Sequence, residues 1–395
     1  MNIILFDDYI WDELLPLTFT RPVSEIRIGI LTICEKWKKL TSFNVSYITR
    51  THLQEKYPLC LKKDNLLISS CLLPNKEIVK LALSCPENLA YVNEGRILIA
   101  RMGKNQVQDF IGTLKNSCKT TEIKLMPPNL CSFCDIFSKN GEELEKDFQL
   151  ITKGRKSQNI SVTNHIINKE NIFLEQGAKV EYATLNASAG SIYIGKEAEI
   201  MEGCLIRGPF ALCECSTVKL GAKIYGPTTI GPYSKVGGEV NNSVIFGFSN
   251  KAHDGFLGNS VIGEWCNLGA NTNNSNLKNN YASVKMWNYP RKQFVNTGLL
   301  FTGLIMGDHS KCSINTMFNT GTVVGVSANL YGSGFYRNFI PSFTWGGPSG
   351  YTTYKLNKAL EVAKIVISRR NRKLNDIDIK ILTWIYEYTQ IYKEI

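Results

Sequence analysis

The sequence lacks several features that would each indicate a particular class of protein. Its 395 residues include four histidines and one CxxC pair, Cys131 and Cys134, with no second pair to complete a zinc site. No apolar run reaches the length of a transmembrane helix. The first residues have neither the basic flank nor the long apolar stretch of a signal peptide. We therefore expect a cytoplasmic protein with no membrane partner.

The positions of the cysteines and the net charge further limit the class of protein. Most of the twelve cysteines lie in apolar stretches, as Cys71, Cys204 and Cys266 do, which predicts buried, reduced thiols. The net charge of +11 suits anionic small molecules and would also suit nucleic acid. The densest basic run, residues 369–373, ends a helical segment, and we interpret it as a solvated helix end. No nucleic-acid-binding motif accompanies it, so no such partner is predicted.

A strict six-residue period dominates the middle of the chain. Neither a helix nor an ordinary strand selects one apolar position in every six, whereas a chain that turns a corner after each short strand does. The period predicts a parallel β-helix, whose coils bury their faces against neighbouring coils. Phe256, Ile262 and Leu268 are expected to continue the pattern after a break. The uninterrupted series is Ile194, Ile200, Ile206, Leu212, Val218, Ile224, Ile230 and Val236.

Four segments follow from these patterns. Residues 1–150 mix strand and helix patterns and predict an α/β domain with a mainly parallel sheet. Residues 151–170 are polar and are interpreted as a linker, and residues 171–345 form the β-helix. Residues 350–395 carry two amphipathic stripes that predict a C-terminal helical cap. Within the first segment we expect strands at 3–6, 65–69 and 96–100 and helices at 28–40 and 78–83.

Candidate chemistry is found where the six-residue period breaks. His253 lies in a polar string from Ser249 to Gly258, and a stretch rich in carboxamides begins at Asn267. A neutral imidazole can take a proton from an attacking amine or hydroxyl. Carboxamides can position sugar hydroxyls or the imidazole itself. A lone histidine is also commonly structural, and spacing alone leaves both interpretations open.

These strings resemble a known family. Residues 251–258, 267–270 and 276 are similar to the left-handed β-helix acetyltransferase domain of the bifunctional UDP-N-acetylglucosamine pyrophosphorylase/glucosamine-1-phosphate N-acetyltransferase family. Residues 14–23 and 236–240 extend the likeness to a divergent bacterial subgroup of that family, described as sugar nucleotidyltransferase-like. The resemblance covers nearly the whole chain.

The resemblance implies a left-handed coil and a homotrimer with active sites between neighbouring solenoids. It places the catalytic histidine at His253 and two asparagines near the sugar at Asn267 and Asn276. His253 would deprotonate a sugar amine that attacks acetyl-CoA, with glucosamine-1-phosphate as the expected acceptor. Lys251 and Asp254, in the same string, are further candidate substrate-binding residues.

The sequence also departs from the family at two places. The Arg and Lys that hold the sugar phosphate are replaced by Gly237 and Asn242. In the N-terminal domain the Gly-rich phosphate loop is replaced by Asp7 and Asp8, which need a cation such as Mg²⁺ to meet a phosphate. Arg21 matches the second half of that signature and is a candidate nucleotide-binding residue.

Three classes of function therefore stay open. The first is an enzyme of amino-sugar nucleotide synthesis that acetylates an amino-sugar phosphate and also transfers uridylyl from UTP to give UDP-N-acetylglucosamine. The second is an acyltransferase for a different nucleotide sugar, with a non-catalytic N-terminal domain. The third is a non-enzymatic β-helix scaffold. The expected string around His253 argues against the third class, and the missing Gly-rich loop favours the second over the first.

Overall fold

The computed structural model of the chain describes residues 2–113, 118–124 and 126–393. The chain divides into two compact units that do not follow simple sequence order. The first unit contains Met1–Leu14, Thr20–Ile26 and Leu31–Ser132. The second unit contains Leu15–Phe19, Arg27–Ile30 and Phe133–Ile395, and includes the solenoid.

The first unit is built on a six-stranded mixed sheet in the order β2-β1-β3-β5-β4-β6. β1 is parallel to β2 and β3, whereas β5 is antiparallel to β3 and β4. β5 departs from the predicted parallel pattern because a two-residue turn with positive φ at Glu94 and Gly95 makes a hairpin. The strands are β1 (Asn2–Phe6), β2 (Val45–Ile48), β3 (Asp64–Ser69), β4 (Leu89–Asn93), β5 (Arg96–Gly103) and β6 (Lys119–Glu122).

The helices of the first unit surround this sheet, and α2 begins later than the sequence predicts. Thr32 accepts a hydrogen bond from the Glu35 backbone N–H, and the Glu35 side chain accepts from the Thr32 N–H, so a capping box begins the helix at Ile33. A short 3₁₀ helix covers Val23–Glu25. The α-helices are α1 (Ile10–Glu13), α2 (Ile33–Thr41), α3 (Thr51–Gln54), α4 (Lys76–Leu83) and α5 (Lys104–Thr113).

The second unit is a parallel β-solenoid with three faces, each formed by one short strand per coil. The first face contains β7 (His165–Ile167), β10 (Thr184–Asn186), β13 (Leu205–Arg207), β16 (Lys223–Tyr225), β19 (Glu239–Asn241) and β22 (Phe256–Gly258). The second contains β8 (Ile172–Leu174), β11 (Ile192–Ile194), β14 (Phe210–Leu212), β17 (Thr228–Ile230), β20 (Val244–Gly247), β23 (Val261–Glu264), β28 (Leu304–Met306), β31 (Thr322–Val324) and β33 (Phe339–Ile340). The first strand of the solenoid therefore lies inside the segment interpreted as a linker.

The third face bears the candidate site. Its strands are β9 (Lys179–Val180), β12 (Glu199–Ile200), β15 (Thr217–Val218), β18 (Lys235–Val236), β21 (Asn250–Lys251), β24 (Asn267–Leu268), β29 (Lys311–Cys312), β32 (Asn329–Leu330), β34 (Thr344–Gly347) and the antiparallel β35 (Gly350–Thr353). Two small sheets complete the unit: β25 (Asn273–Asn274) with β30 (Met317–Phe318), and the hairpin of β26 (Lys285–Asn288) and β27 (Gln293–Asn296).

The solenoid core confirms the six-residue period. All eight residues of the uninterrupted series are at most 2% exposed, as expected if each coil buries one branched side chain per face. The expected core position of Phe256 is wrong: this residue is half-buried, and Leu257 takes the inward position. The inward residues Lys251 and Leu257 keep the six-residue spacing, whereas Leu257 and Ile262 are five residues apart. The corner between β22 and β23 is therefore one residue short of the period, and a one-residue shift turns a strand's side chains to the opposite face.

Four helices complete the second unit: α6 (Phe133–Ser138), α7 (Asn140–Thr152), α8 (Leu356–Ser368) and α9 (Asp376–Tyr388). Asn375 caps α9 by accepting from the Asp378 N–H. Short 3₁₀ helices cover Lys169–Asn171 and Thr389–Tyr392. The predicted fold class, an α/β domain followed by a parallel β-helix and C-terminal helices, is confirmed. In the described part of the chain, no helix is both long enough and apolar enough to span a membrane.

Candidate functional site

The string around His253 forms a tight bend that exposes the imidazole. His253 and Asp254 are exposed, while Lys251 before them and Leu257 after them are buried. Gly255 adopts φ of +116°, and a Cβ there would collide with the backbone oxygen of Thr272 in the next coil. The bend is therefore pressed against the coil below, and only glycine fits at its end.

Lys251 supports this bend from inside the solenoid. It pairs in register with Val236 of the preceding coil, so it occupies an inward position that neighbouring coils fill with apolar residues. Its Nζ donates to the backbone oxygens of Gly237 at 3.0 Å and His253 at 2.5 Å. Burial lowers the pKa of Lys251 to about 8. The structure thus assigns Lys251 to the support of the His253 backbone rather than to direct substrate contact.

His253 and Asn267 line one cavity of about 470 Å³ on the third face of the solenoid, a volume within the range of small-molecule sites. Asn276 is not among its lining residues, and its side chain donates to Asn259 Oδ1 at 2.8 Å instead. Asp254 and Lys251 do not line the cavity either. The full lining set is Lys235, Phe248, Asn250, Ala252, His253, Trp265, Cys266, Asn267, Lys311, Val366, Arg369 and Arg370.

The floor of the cavity is a ladder of polar side chains from four successive coils. Lys235 pairs in register with Asn250, Asn250 with Asn267, and Asn267 with Lys311. Side chains at paired positions point to the same face of a parallel sheet, and neighbouring strands lie about 4.8 Å apart. Two lysines therefore bracket two carboxamides over about 14 Å.

Aromatic side chains form a stack beside this ladder, at one corner of the solenoid. The ring centroids of Tyr233 and Phe248 are 5.1 Å apart, those of Phe248 and Trp265 are 4.3 Å apart, and those of Trp265 and His309 are 6.4 Å apart. The backbone of each has a positive φ between 54° and 62°, so the chain makes the same left-handed turn in every coil. Phe248 and Trp265 supply an apolar wall to the cavity.

The basic run at residues 369–373 does not form the purely solvated helix end that the sequence predicts. Arg369 and Arg370 line the cavity, and Arg370 Nη2 donates to Asn250 Oδ1 at 3.2 Å. The guanidinium of Arg372 lies 4.7 Å from the ring centroid of Phe248. The basic run was visible in the sequence, but the hydrogen bond joins positions 120 residues apart.

Lys311 adds a fourth cation to the cavity wall. Its Nζ donates to the backbone oxygen of His309 at 2.8 Å, and burial lowers the pKa of its ammonium. None of the twelve lining residues is acidic. Lys235, Lys311, Arg369 and Arg370 form no salt bridge to any carboxylate in the described part of the chain. The cavity therefore presents uncompensated positive charge next to His253.

Two candidate residues of the N-terminal domain, Asp7 and Asp8, follow the carboxyl end of β1, and the third, Arg21, lies just before the 3₁₀ helix Val23–Glu25. Asp7 is 4% exposed and accepts from Thr49 Oγ1 at 2.6 Å and from the Val23 N–H at 3.1 Å. Burial raises the pKa of Asp7 to about 7. Asp8 forms an ion pair with Arg96 at 2.7 Å. Arg21 is buried, with 4% of its surface exposed.

These contacts do not fit a magnesium site. One oxygen of Asp8 is bound to a guanidinium, and both oxygens of the buried Asp7 accept hydrogen bonds. Magnesium needs several oxygen ligands in octahedral geometry, and no group of three or more His, Cys, Asp or Glu that could hold a metal exists among the described residues. Arg96, which no sequence motif marks, neutralises the position that the Gly-rich loop would occupy.

Known proteins are similar to parts of this chain. A family model described as sugar nucleotidyl transferase matches residues 3–156. A bifunctional sugar-1-phosphate nucleotidylyltransferase/acetyltransferase of Sulfurisphaera tokodaii is 31% identical over 144 residues, 36% of this chain and 35% of the relative. The bifunctional protein GlmU of Methanocaldococcus jannaschii is 38% identical over 87 residues, 22% of this chain and 21% of the relative. The chain thus spans about a third of the length of the first relative and about a fifth of the second. The predicted family resemblance is confirmed.

Solved structures with similar folds include two acyltransferases. LpxA, a UDP-N-acetylglucosamine acyltransferase from Bacteroides fragilis, is 16% identical and covers 58% of this chain and 91% of its own, with a TM-score of 0.28. A mutant of AntD, an N-acyltransferase from Bacillus cereus in complex with dTDP and coenzyme A, is 12% identical and covers 52% of this chain and 91% of its own, with a TM-score of 0.23.

Proposed function

We propose that this protein transfers an acetyl group from acetyl-CoA to the amine of an amino-sugar phosphate, with His253 as the general base. The observation that carries the proposal is the cavity in which an exposed histidine lies beside Asn267 and four cations. A base, a polar positioning group and an anion-binding wall are the parts that such a transfer needs. The named activities of one curated relative include acetyl transfer.

The proposed step balances without any other reactant. The amine nitrogen attacks the thioester carbonyl carbon of acetyl-CoA, and its N–H proton passes to the neutral imidazole of His253. The C–N bond forms, the C–S bond breaks, and the coenzyme A thiolate takes the proton back from the imidazolium. Asn267 is close enough along the cavity floor to hold the acceptor, while Lys251 keeps the His253 backbone in place.

The positive wall supports a phosphorylated acceptor. The family's phosphate-binding Arg and Lys are absent at Gly237 and Asn242, which departs from the resemblance. Lys235 and Lys311 belong to the same face as Asn267 and supply cations that could bind phosphate in their place. Glucosamine-1-phosphate therefore stays the expected acceptor.

A panel of acceptors tests this proposal. Purified protein is incubated with acetyl-CoA and glucosamine, glucosamine-1-phosphate or glucosamine-6-phosphate, and the products are identified by mass spectrometry. We expect one added acetyl group on the sugar 1-phosphate, dependent on His253. His165 is a matched control because it is an exposed histidine on another face of the solenoid. Equal product from the His253→Ala and wild-type proteins would contradict the assignment of the base.

Uridylyl transfer is the second candidate function, and the family match over residues 3–156 favours it. The ion pair of Asp8 with Arg96 opposes it, because a carboxylate and its partner fill the place where backbone N–H groups would bind phosphates. Pyrophosphate release from UTP and N-acetylglucosamine-1-phosphate measures this activity. Release that disappears in Arg21→Ala, with an unchanged melting temperature, would support it. Absence of release alongside intact acetyl transfer would leave the N-terminal domain non-catalytic.

A homotrimer is the proposed assembly, as the family resemblance implies. The third face of the solenoid carries the cavity and the helix α8 against it, so a second chain would have to approach the site from an adjoining face. Sedimentation velocity at several protein concentrations measures the state directly. A stable trimer is expected, and a monomer with full acetyl transfer would contradict a site that needs neighbouring chains.

A further inference from the structure

We propose that the carboxylate of Asp8 fills an anion-binding site in the first unit and thereby keeps phosphate groups out of it. The inference concerns a different unit from the one that contains His253, and it does not rest on the proposed acetyl transfer. It assigns a physical consequence to the replacement of the Gly-rich phosphate loop by Asp7 and Asp8. The alternative is an ion pair that only stabilises the fold.

Three donors surround the two oxygens of the Asp8 carboxylate. Arg96 Nε donates to Asp8 Oδ2 at 2.7 Å, and the Ser69 hydroxyl donates to the same oxygen at 3.3 Å. The backbone N–H of Ile10 donates to Asp8 Oδ1 at 3.0 Å. A guanidinium, a hydroxyl and a backbone N–H are groups with which proteins commonly bind phosphate oxygens. The chain therefore holds its own carboxylate with the donor set of a phosphate site.

Arg96 depends on Asp8 for its counter-charge. Arg96 Nη2 donates to Ser69 Oγ at 3.2 Å and to Cys71 Sγ at 2.7 Å. Cys71 is 1% exposed, and burial raises the pKa of its thiol to about 11, so the thiol is neutral near pH 7. Among the described residues, Asp8 is the only carboxylate that pairs with Arg96. Removal of Asp8 would leave a guanidinium whose side chain is only 13% exposed without a counter-charge, which favours the entry of another anion.

The site is open to solvent on one side. The Asp8 side chain is 15% exposed. The ring of Tyr9, whose centroid is 5.2 Å from the guanidinium carbon of Arg96, is more than half exposed. A small anion can therefore reach Arg96 once the carboxylate is removed. In the wild type the carboxylate is part of the chain, so it competes with free phosphate at a high effective concentration. The wild-type protein thus excludes phosphate although the donors for it are present.

Isothermal titration calorimetry with inorganic phosphate, and separately with UTP, tests the inference on the whole chain. We expect Asp8→Ala to bind inorganic phosphate at least about tenfold more tightly than the wild type, because a charge-assisted hydrogen bond contributes about tenfold or more to affinity. Tighter binding of UTP than of inorganic phosphate by Asp8→Ala would identify a nucleotide phosphate as the excluded group. Weaker binding of UTP would identify free phosphate as that group.

A second measurement and a second variant cover a loss of stability in Asp8→Ala. This variant should melt at a lower temperature than the wild type, and saturating inorganic phosphate should recover part of that loss. Asp8→Asn keeps the shape of the side chain and removes its charge. It should therefore bind phosphate more tightly than the wild type but less tightly than Asp8→Ala, because its amide still fills the site.

Asp64→Ala is the matched control. Asp64 pairs with Arg101 through two guanidinium hydrogen bonds of 2.9 Å, and its removal should produce no phosphate binding. Equal phosphate binding by the wild type and both Asp8 variants, or an equal gain in Asp64→Ala, would overturn the inference. Neither measurement involves acetyl transfer, so a failure of the proposed function is a separate result.

Discussion

The effect of Lys251 on the pH dependence of stability can be predicted most quantitatively, because its ammonium group lies inside the solenoid. The residue is 3% exposed, and its ammonium donates to the backbone oxygens of Gly237 and His253. Burial lowers its pKa from 10.5 to about 8. The perturbation is Lys251→Met, which keeps much of the side-chain volume and removes the titrating group.

The direction of the pH effect follows from proton binding in the two states. Below pH 8 both the folded and the unfolded protein hold the Lys251 proton. Between pH 8 and 10.5 the unfolded chain still holds it while the folded protein does not, so stability rises with pH. Each pKa unit corresponds to about 1.36 kcal/mol. The wild-type protein should therefore gain about 3 kcal/mol relative to Lys251→Met over this interval.

Urea denaturation at pH 7.5, 9 and 10.5, under reducing conditions, measures this difference. Lys285→Met is the matched control, because Lys285 is exposed and should show no pH-dependent difference from wild type. Parallel stability curves for wild type and Lys251→Met across the whole range would refute a buried, destabilised ammonium beneath His253.

Two further predictions concern the interior of each unit. Asp7→Asn should remove a pH dependence of stability, because folded Asp7 keeps its proton up to about pH 7 while the unfolded chain loses it near pH 3.8. Between pH 4 and 7 the free energy of unfolding of the wild type should therefore fall by about 4 kcal/mol relative to that of the variant, as measured by urea denaturation. An unchanged difference would contradict a buried neutral carboxyl. Ile224→Ala should cost about 2–5 kcal/mol, because Ile224 is 1% exposed in the solenoid core, whereas Leu205→Ala, at a position 53% exposed, should cost within about 0.5 kcal/mol. Equal losses in thermal unfolding would contradict the assigned faces.

The solenoid was predictable because each coil needs one buried apolar residue on each of its faces. Ile206 and Ile224 are two such residues, and their regular recurrence gives the six-residue period in the sequence. The inward position of Leu257 in place of Phe256 was not predictable, because Leu257 and Ile262 are five residues apart and no local pattern marks the shorter corner between β22 and β23.

The candidate site was predictable in part. The string that contains His253 and the run that begins at Asn267 indicated the cavity, and both residues line it. The contribution of Arg369 and Arg370 depends on how α8 packs against strands more than 100 residues earlier, and no local pattern encodes that packing. Lys251 was predicted to bind substrate because it lies in the same string as His253. Its inward position follows from the register with Val236.

The central claim is that His253 is the base for acetyl transfer. The most direct measurement is the rate of coenzyme A release from acetyl-CoA and glucosamine-1-phosphate, compared among wild type, His253→Ala and His165→Ala. General base catalysis contributes about 10²–10⁴-fold, so His253→Ala should lose at least about 100-fold in kcat/KM, while His165→Ala should retain the wild-type rate. Wild-type release in His253→Ala would contradict the account, and an absence of release from every protein would leave glucosamine-1-phosphate excluded as the acceptor.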